Sequence, residues 1–239
     1  MQILSKRRQS NSPTLRSKKR IRRSYTVYFA GDLWNHKDLI GNAILAQYIE
    51  KRSKGLYRCI VPQDLEQTDN RAVAIRNQDL KQVMSCDVAL FNFDGHELDS
   101  GTVVEFMFAK FLDIPSVLLR TDFRSAGDAN KDGDPWNLML ASWPRAKVLK
   151  LHGMVEYQKA SLAAKKNLNG TIHALYCMMA DTIIENLNAV RIAPGIVADS
   201  DVLRVYQRAL ETPGAGFGEL FTPDELAKIV EGKRAKGMF

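Results

Sequence analysis

The sequence lacks the features that mark several large classes of protein. It has three cysteines, Cys59, Cys86 and Cys177, which are widely spaced and form no CxxC pair. It therefore predicts neither a disulfide framework nor a zinc site. It also has no apolar run long enough to span a membrane, and no secretory apolar segment follows the N-terminal charges. We therefore expect no membrane partner and a reducing, cytoplasmic location.

Several motifs of well-known enzyme classes are absent as well. The sequence contains no GxGxxG, GxxxxGKS/T, GxSxG or HExxH pattern. This disfavours dinucleotide-dependent dehydrogenases, P-loop enzymes, serine hydrolases of the GxSxG type and zinc proteases. The four histidines are scattered along the chain and predict no metal site: His36, His96, His152 and His173.

The formal charge of +7 is unevenly distributed. Residues 1–24 contain nine of the 34 basic side chains and no acid, so residues 25–239 carry 25 basic against 27 acidic side chains. The composition of residues 1–24 predicts a disordered basic tail. This tail is a solvated extension, a contact for nucleic acid or an anionic surface, or a transit peptide.

Alternating strand and helix patterns follow the tail. The predicted strands cover 25–30, 57–61, 87–93, 115–120 and 146–151, and the predicted helices between them cover 38–53, 71–84 and 102–112. This order predicts an α/β fold with a flavodoxin-like, doubly wound parallel sheet. Helical patterns at 153–166, 170–190, 200–211 and 223–235 predict a C-terminal helical extension. We therefore divide the chain into the tail 1–24, a catalytic domain 25–152 and a helical extension 153–239.

The stretch from Phe93 to Glu105 is the most informative one. It ends a predicted buried strand and delivers Glu105 onto the first turns of an almost wholly apolar helix. One reading is that Asp99, Ser100 and Thr102 cap this helix and that Glu105 complements its dipole. The other is that these residues form the crevice at the carboxyl ends of the strands, where open α/β sheets bind ligands. An acid among apolar residues must be paired or used, which favours the second reading.

Carboxylates occur repeatedly at the predicted ends of elements. They are Asp32, Asp79, Asp94, Asp99 and Glu105. Several acids, one of them at the start of a helix, are the groups that cleavage of a glycosidic bond requires, since one carboxylate attacks the anomeric carbon and another handles the proton of the leaving group. Asp94 precedes a glycine, and this predicts that it is only a turn residue.

Four motifs together resemble the nucleoside 2-deoxyribosyltransferases. They are Tyr28-Phe29-Ala30-Gly31, Asn77-Gln78-Asp79-Leu80, Asp99-Ser100-Gly101-Thr102-Val103-Val104-Glu105 and Asn137-Leu138-Met139. Their order and spacing also agree with the family, and the resemblance covers roughly residues 26–150. It implies an enzyme that acts on deoxynucleosides and free nucleobases without a metal or an organic cofactor.

The resemblance also implies roles for single residues. Glu105 would attack C1′ of a deoxynucleoside and form a covalent deoxyribosyl ester, which a second base then resolves. Asp79 and Asp99 would hold the nucleobase and help to protonate it on departure, and Tyr28 would orient the nucleophile.

Further residues of the motifs match substrate-binding positions. Gly31 ends the first motif beside the substrate. Asn137 would reach from a neighbouring subunit to the deoxyribose, with Met139 packed beside it, so that the working enzyme would be a homo-oligomer. The family also has a base-contacting glutamine, for which Gln63 is one candidate and Glu66 and Gln67 are others.

Two alternative functions remain open at this stage. Water could replace the acceptor base, which gives an N-glycoside hydrolase acting on deoxynucleosides or their monophosphates. A hydrolase for monophosphates needs serine or basic groups near Gly31 and Gly101, where only Ser100 offers one. The other alternative is a non-catalytic nucleotide-binding module that its basic tail docks on nucleic acid or a protein.

Overall fold

The computed structural model describes residues 23–65, 72–124 and 136–239. The predicted basic tail, apart from Arg23 and Ser24, lies outside the described residues. Its predicted disorder and its contacts therefore stay predictions.

Five parallel strands form the central sheet. They are β1 (Tyr25–Ala30), β2 (Tyr57–Ile60), β3 (Val88–Asn92), β4 (Ser116–Arg120) and β5 (Ala146–Lys150). Their order is β2-β1-β3-β4-β5, and every neighbouring pair is parallel. This is the flavodoxin-like strand order, so the predicted fold class is confirmed. The order reverses between β1 and β3, which makes the carboxyl ends of these two strands the expected ligand site.

Seven α-helices lie along the described residues. They are α1 (His36–Arg52), α2 (Ala72–Ser85), α3 (Ser100–Phe111), α4 (Gly153–Ala163), α5 (Leu168–Ile192), α6 (Val202–Glu211) and α7 (Pro223–Ala235). Helix α3 begins two residues before its predicted start because the Asp99 side chain accepts a hydrogen bond from the backbone N–H of Thr102 and acts as the N-cap. None of the helices in these described segments is long and apolar enough to cross a membrane.

A hydrophobic core covers each face of the sheet. Alternate residues of β3 point to opposite faces, as the strand period requires. Phe91 packs on one side with α2, α3, α6 and α7, whereas Leu90 packs on the other side with α1 and α5. Both cores therefore draw on helices that follow residue 152, although the domain boundary at that residue stays a prediction.

A buried ion pair lies below the sheet edge where β5 begins. Arg145 and Asp113 have side chains that are 2% and 1% exposed, and Arg145 Nη1 lies 3.0 Å from Asp113 Oδ2. The same carboxylate oxygen accepts a hydrogen bond from the backbone N–H of Ile196 at 2.8 Å. Arg145 Nη2 also donates to the carbonyl of Met238 at 2.7 Å. The pair therefore connects the α3–β4 turn and β5 to the segment after α5 and to the C-terminal residues.

Candidate active site

The loop after β1 runs unusually close to the end of β3. A Cβ added at Gly31 would lie 3.0 Å from Asn92 Cβ and 3.1 Å from the Asn92 carbonyl oxygen. Both contacts are tighter than ordinary van der Waals packing. Glycine at position 31 thus lets the loop approach the switch point of the sheet.

A cavity of about 710 Å³ opens beside this loop. Its walls come from the loop after β1, the 3₁₀ turn Pro62–Asp64, α2 and the start of α3. The described residues that line it are Gly31, Leu33, Trp34, Pro62, Gln63, Leu65, Ala72, Ile75, Arg76, Asp79, Leu80, Asp99, Ser100, Gly101, Thr102, Val104 and Glu105. The volume and the mostly apolar walls with a few polar groups are typical of a small-molecule site.

Glu105 reaches into this cavity from the second turn of α3. The hydroxyl of Tyr28, a fully buried residue of β1, donates a hydrogen bond to Glu105 Oε1 at 2.7 Å. Burial raises the pKa of Glu105 to about 8, while the Tyr28 hydrogen bond acts in the opposite direction because it stabilises the anion. The nearby Asp79 and Asp99 carboxylates raise the Glu105 pKa further. The fold thus places a carboxylate with high proton affinity at the carboxyl ends of the strands.

Asp79 lies on α2 and lines the same cavity. Its side chain is half-buried, and burial raises its pKa to about 6. A carboxyl group with this pKa can give and take a proton near neutral pH. The structure places this side chain in the cavity wall.

Asp99 fits both interpretations of its motif, as a helix cap and as a residue of the ligand crevice. Its Oδ2 accepts hydrogen bonds from the Thr102 N–H at 2.7 Å and from the Thr102 hydroxyl at 2.9 Å, so it caps α3. It also lines the same cavity as Glu105. Capping therefore fixes the carboxylate next to the site, and the two readings do not exclude each other.

Gln63 lines the cavity from the 3₁₀ turn after β2. Its Nε2 donates to the Leu39 carbonyl at 2.8 Å, which ties the turn to α1. The other two candidates for a base-contacting residue, Glu66 and Gln67, lie outside the described residues. The choice among the three stays open.

Asn137 and Met139 do not line this cavity. Asn137 Oδ1 accepts hydrogen bonds from the backbone N–H groups of Met139 at 2.9 Å and Leu140 at 3.1 Å, so it caps a turn. The Met139 side chain is 72% exposed. Within one chain, the structure thus brings Tyr28, Gly31, Gln63, Asp79, Asp99 and Glu105 together and leaves Asn137 and Met139 on the surface.

The other two carboxylates named from the sequence do not line this cavity. Asp32 and Asp94 line a smaller hollow of about 260 Å³, next to α1, α4 and α5. Asp94 accepts hydrogen bonds from the Thr121 hydroxyl at 2.6 Å and from the Asp122 N–H at 2.8 Å, and it thereby connects the loops after β3 and β4. Both partners lie 27 and 28 positions along the chain from Asp94, so it joins two loops and is more than the predicted turn residue.

Trp34 and Arg76 are among the residues of the cavity wall that were not singled out as site residues from the sequence. Trp34 lines the cavity although its side chain is 77% exposed, and Arg76 lies on α2 three residues before Asp79. Residues three apart share one face of a helix, so the spacing between Arg76 and Asp79 was a usable signal. For Trp34 the signal was its place in the loop directly after Gly31.

Comparisons with known proteins give the following matches. Residues 27–139 match the family model described as Nucleoside 2-deoxyribosyltransferase, which confirms the resemblance found in the sequence motifs. No curated protein shows significant similarity to the chain.

Three solved structures are similar to the chain. A conserved protein from Enterococcus faecalis V583 is 21% identical with a TM-score of 0.43, and the match covers 70% of this chain and 98% of that one. A 2-desoxiribosyltransferase from Leishmania mexicana is 22% identical with a TM-score of 0.40, and the match covers 49% and 86%. A 2-deoxyribosyltransferase from Bacillus psychrosaccharolyticus is 16% identical with a TM-score of 0.37, and the match covers 43% and 77%.

Proposed function

We propose that the chain is a nucleoside 2-deoxyribosyltransferase that moves 2-deoxyribose between nucleobases, with Glu105 as the nucleophile. The observation that carries this proposal is the hydrogen-bonded pair of Tyr28 and Glu105, which lies at a cavity shared with Asp79 and Asp99. The family match over residues 27–139 supports the substrate class. An acid held in this way costs stability, and such groups concentrate at functional sites.

In the first step, a carboxylate oxygen of Glu105 attacks C1′ of a 2′-deoxynucleoside. The bond from C1′ to the base nitrogen breaks, and its electron pair leaves with the base, which takes a proton from Asp79. Glu105 must be ionised to attack, and the hydroxyl of Tyr28 stabilises that anion. The product is a deoxyribosyl ester of Glu105.

In the second step, a nitrogen of another nucleobase attacks C1′ from the side that the first base left. The ester bond breaks, Glu105 recovers its carboxylate, and Asp79 takes back the proton of the incoming base. Two successive inversions retain the configuration at C1′. Asp99, fixed by its cap on Thr102, contacts the nucleobase beside Asp79.

We further propose that the working enzyme is a homo-oligomer in which Asn137 and Met139 contact the deoxyribose in the site of a neighbouring subunit. The exposure of Leu138 at 71% and of Met139 at 72% supports this, because both apolar side chains are left without cover in the single chain. Light scattering at the assay concentration tests the idea, and a fully active monomer would rule it out.

An exchange assay tests the proposed function. The protein is incubated with deoxyinosine and free cytosine or adenine, and the new nucleoside and free deoxyribose are both quantified. We expect a new nucleoside in amounts that match the hypoxanthine released. Release of sugar alone would instead indicate a hydrolase, and the absence of both products would leave a binding module.

The reaction requires one carboxyl group to be ionised and another to be protonated, and the pKa values of these two groups set the expected pH dependence of kcat/KM. Glu105 must be ionised and has a pKa of about 8, whereas Asp79 must carry a proton and has a pKa of about 6. We therefore expect kcat/KM to rise up to about pH 6, to stay level to about pH 8 and to fall above that. The apparent pKa values belong to the interacting pair.

The substitution Asp79→Asn separates the two limbs of this profile. Asparagine carries no titratable proton, so we expect the alkaline fall to vanish and kcat to decrease about 10²-fold. The rise should then continue to the Glu105 pKa, which the loss of the Asp79 charge lowers from its wild-type value of about 8. The exposed residue Asp181 on α5 provides the control, since Asp181→Asn should leave the profile unchanged. An alkaline limb that survives in Asp79→Asn would show that Asp79 is not the acid.

A further inference from the structure

Two faces of helix α2 make different contacts: one lines the cavity, and the other packs against the segment between α6 and α7. One turn of helix places residues three and four apart on the same face, so Ile75, Arg76, Asp79 and Leu80 together form the cavity wall. Asn77 is rotated by about 200° from Asp79, since each residue advances the helix by about 100°. It therefore points away from the cavity, toward the segment between α6 and α7.

The Asn77 carboxamide is buried, with 5% of the residue exposed, and both of its polar atoms are used. Its Oδ1 accepts hydrogen bonds from Arg76 Nε at 3.2 Å and from Arg76 Nη2 at 2.7 Å. Its Nδ2 donates to the Ala215 carbonyl at 3.0 Å. Arg76 Nη2 also donates to the Pro213 carbonyl at 3.1 Å. The Asn77 side chain thus contacts both a cavity residue and the segment that follows α6.

The segment 213–217 has an uncommon backbone. Gly214, Ala215 and Gly216 have successive φ angles of +62°, +46° and +76°. A left-handed conformation is unfavourable for alanine, so other contacts must hold Ala215 in place. Phe217 supplies one of them: it is fully buried and packs edge-on against Phe108 of α3, with ring centroids 5.8 Å apart. The turn 213–217 is therefore anchored to α3 and presents its carbonyl groups to α2.

We propose that Asn77 is a positioning residue, which joins α2 to the turn 213–217 and thereby fixes Arg76 and Asp79 in the cavity wall. Its catalytic consequence rests on the function proposed above. Asp79 must lie within hydrogen-bonding reach of the departing base, and small displacements of a group that acts on the reacting bond cause large losses of rate. The part of the chain beyond residues 27–139 would thus set the geometry of a site that lies within them.

The variant Asn77→Ala tests this, with Asn186→Ala as a matched control. Asn186 is also a buried helix residue, 5% exposed, whose Nδ2 donates to the Thr182 carbonyl at 2.7 Å within α5. We expect similar losses of stability in both variants. At a temperature where both are fully folded, we expect only Asn77→Ala to lower kcat/KM, by about tenfold or more and mainly through kcat.

A second readout does not depend on turnover. The Asp79 carboxyl is titrated by NMR in the wild type and in both variants. We expect its midpoint to fall by about one pH unit in Asn77→Ala, because a displaced α2 exposes the group to water, and to stay unchanged in Asn186→Ala. A shifted midpoint in a protein that shows no exchange would uphold the positioning role and reject the transferase. Equal behaviour of both variants in an active enzyme would overturn the positioning role alone.

The variant Lys81→Met provides a second test of the positioning role if Asn77→Ala does not fold. Lys81 lies one turn after Asn77, donates to the Leu220 carbonyl at 2.9 Å and lies 5.1 Å from the ring centroid of Phe221. Its removal loosens the same face of α2 without leaving a buried hole. We expect a smaller change of the same kind in kcat and in the Asp79 midpoint. A Lys81→Met protein with wild-type values for both would count against the proposal.

Discussion

Replacing Glu105 by glutamine is expected to lower kcat for deoxyribosyl transfer by at least about 10³-fold, because the amide cannot form the glycosyl ester. The amide oxygen can still accept the hydrogen bond from Tyr28, so the shape of the site is kept. Chromatography of the exchanged nucleosides measures the rate. Mass spectrometry of the quenched enzyme should show one deoxyribosyl group bound to the wild type and none bound to Glu105→Gln.

The same variant should gain stability at high pH. Burial raises the pKa of Glu105 from its ordinary value of 4.5 to about 8, so the folded state binds the proton more tightly than the unfolded state does. The stability of the wild type should therefore fall as the pH rises from about 4.5 to about 8. Glu105→Gln avoids this loss and should be more stable above that range by at least about 1 kcal/mol, with no gain below it.

The exposed residue Glu185 on α5 provides the control for both measurements. Glu185→Gln should change neither the rate nor the stability, since its side chain is exposed and lies outside the cavity. If Glu105→Gln retained a substantial share of wild-type activity, Glu105 would not be the nucleophile. Urea unfolding between pH 4 and pH 9 supplies the stability data.

Among the substitutions proposed for this protein, we expect Asp113→Asn to lower the free energy of unfolding most, by about 3 kcal/mol or more. It leaves the Arg145 guanidinium charged and buried without its carboxylate, and breaking such a pair from one side is costly. Asparagine is the appropriate replacement because Asp113 has a φ of +55°, which asparagine tolerates better than alanine does. The free energy of unfolding is measured in urea at neutral pH.

An exposed ion pair supplies the comparison. Arg52 and Asp181 also lie in contact, but their side chains are 45% and 48% exposed. Asp181→Asn should therefore cost less than about 1 kcal/mol. Adding Arg145→Met to Asp113→Asn should recover part of the loss, since no unpaired charge remains. Equal losses from the buried and the exposed pair would contradict the role assigned to burial.

The regular elements of the fold could be predicted because their signals are local. The predicted bounds of the first strand, 25–30, and of the last helix, 223–235, agree with β1 and α7. In the last helix, Thr222 and Glu225 form a capping box, a signal that needs only four consecutive residues. Asp99 was found for a similar reason, since it lies at the start of a periodic segment. Asp79 and Glu105 lie within their helices, and the motifs that resemble the family indicated their roles.

The contacts that complete the site could not be predicted in this way. The hydrogen bond from Asn77 to Ala215 joins residues 138 positions apart, and no periodicity in either segment indicates it. The burial of Asp79 depends on how α2 packs between α3 and the segment after α6, which is a tertiary property. Trp34 is an exposed aromatic residue in a loop, so no hydrophobic pattern includes it.

The placement of α5 limits how far the chain can be shortened. The family match ends at residue 139, but β5 and α5 follow it, and Ala180, Ile183 and Leu187 of α5 are fully buried against the sheet. In a fragment trimmed to 27–139, β4 would become an unpaired edge strand, and the apolar face of the sheet that α5 covers would be exposed. Both changes favour aggregation. Anyone who grafts this site into a fusion protein or a biosensor would need to carry the later helices with it.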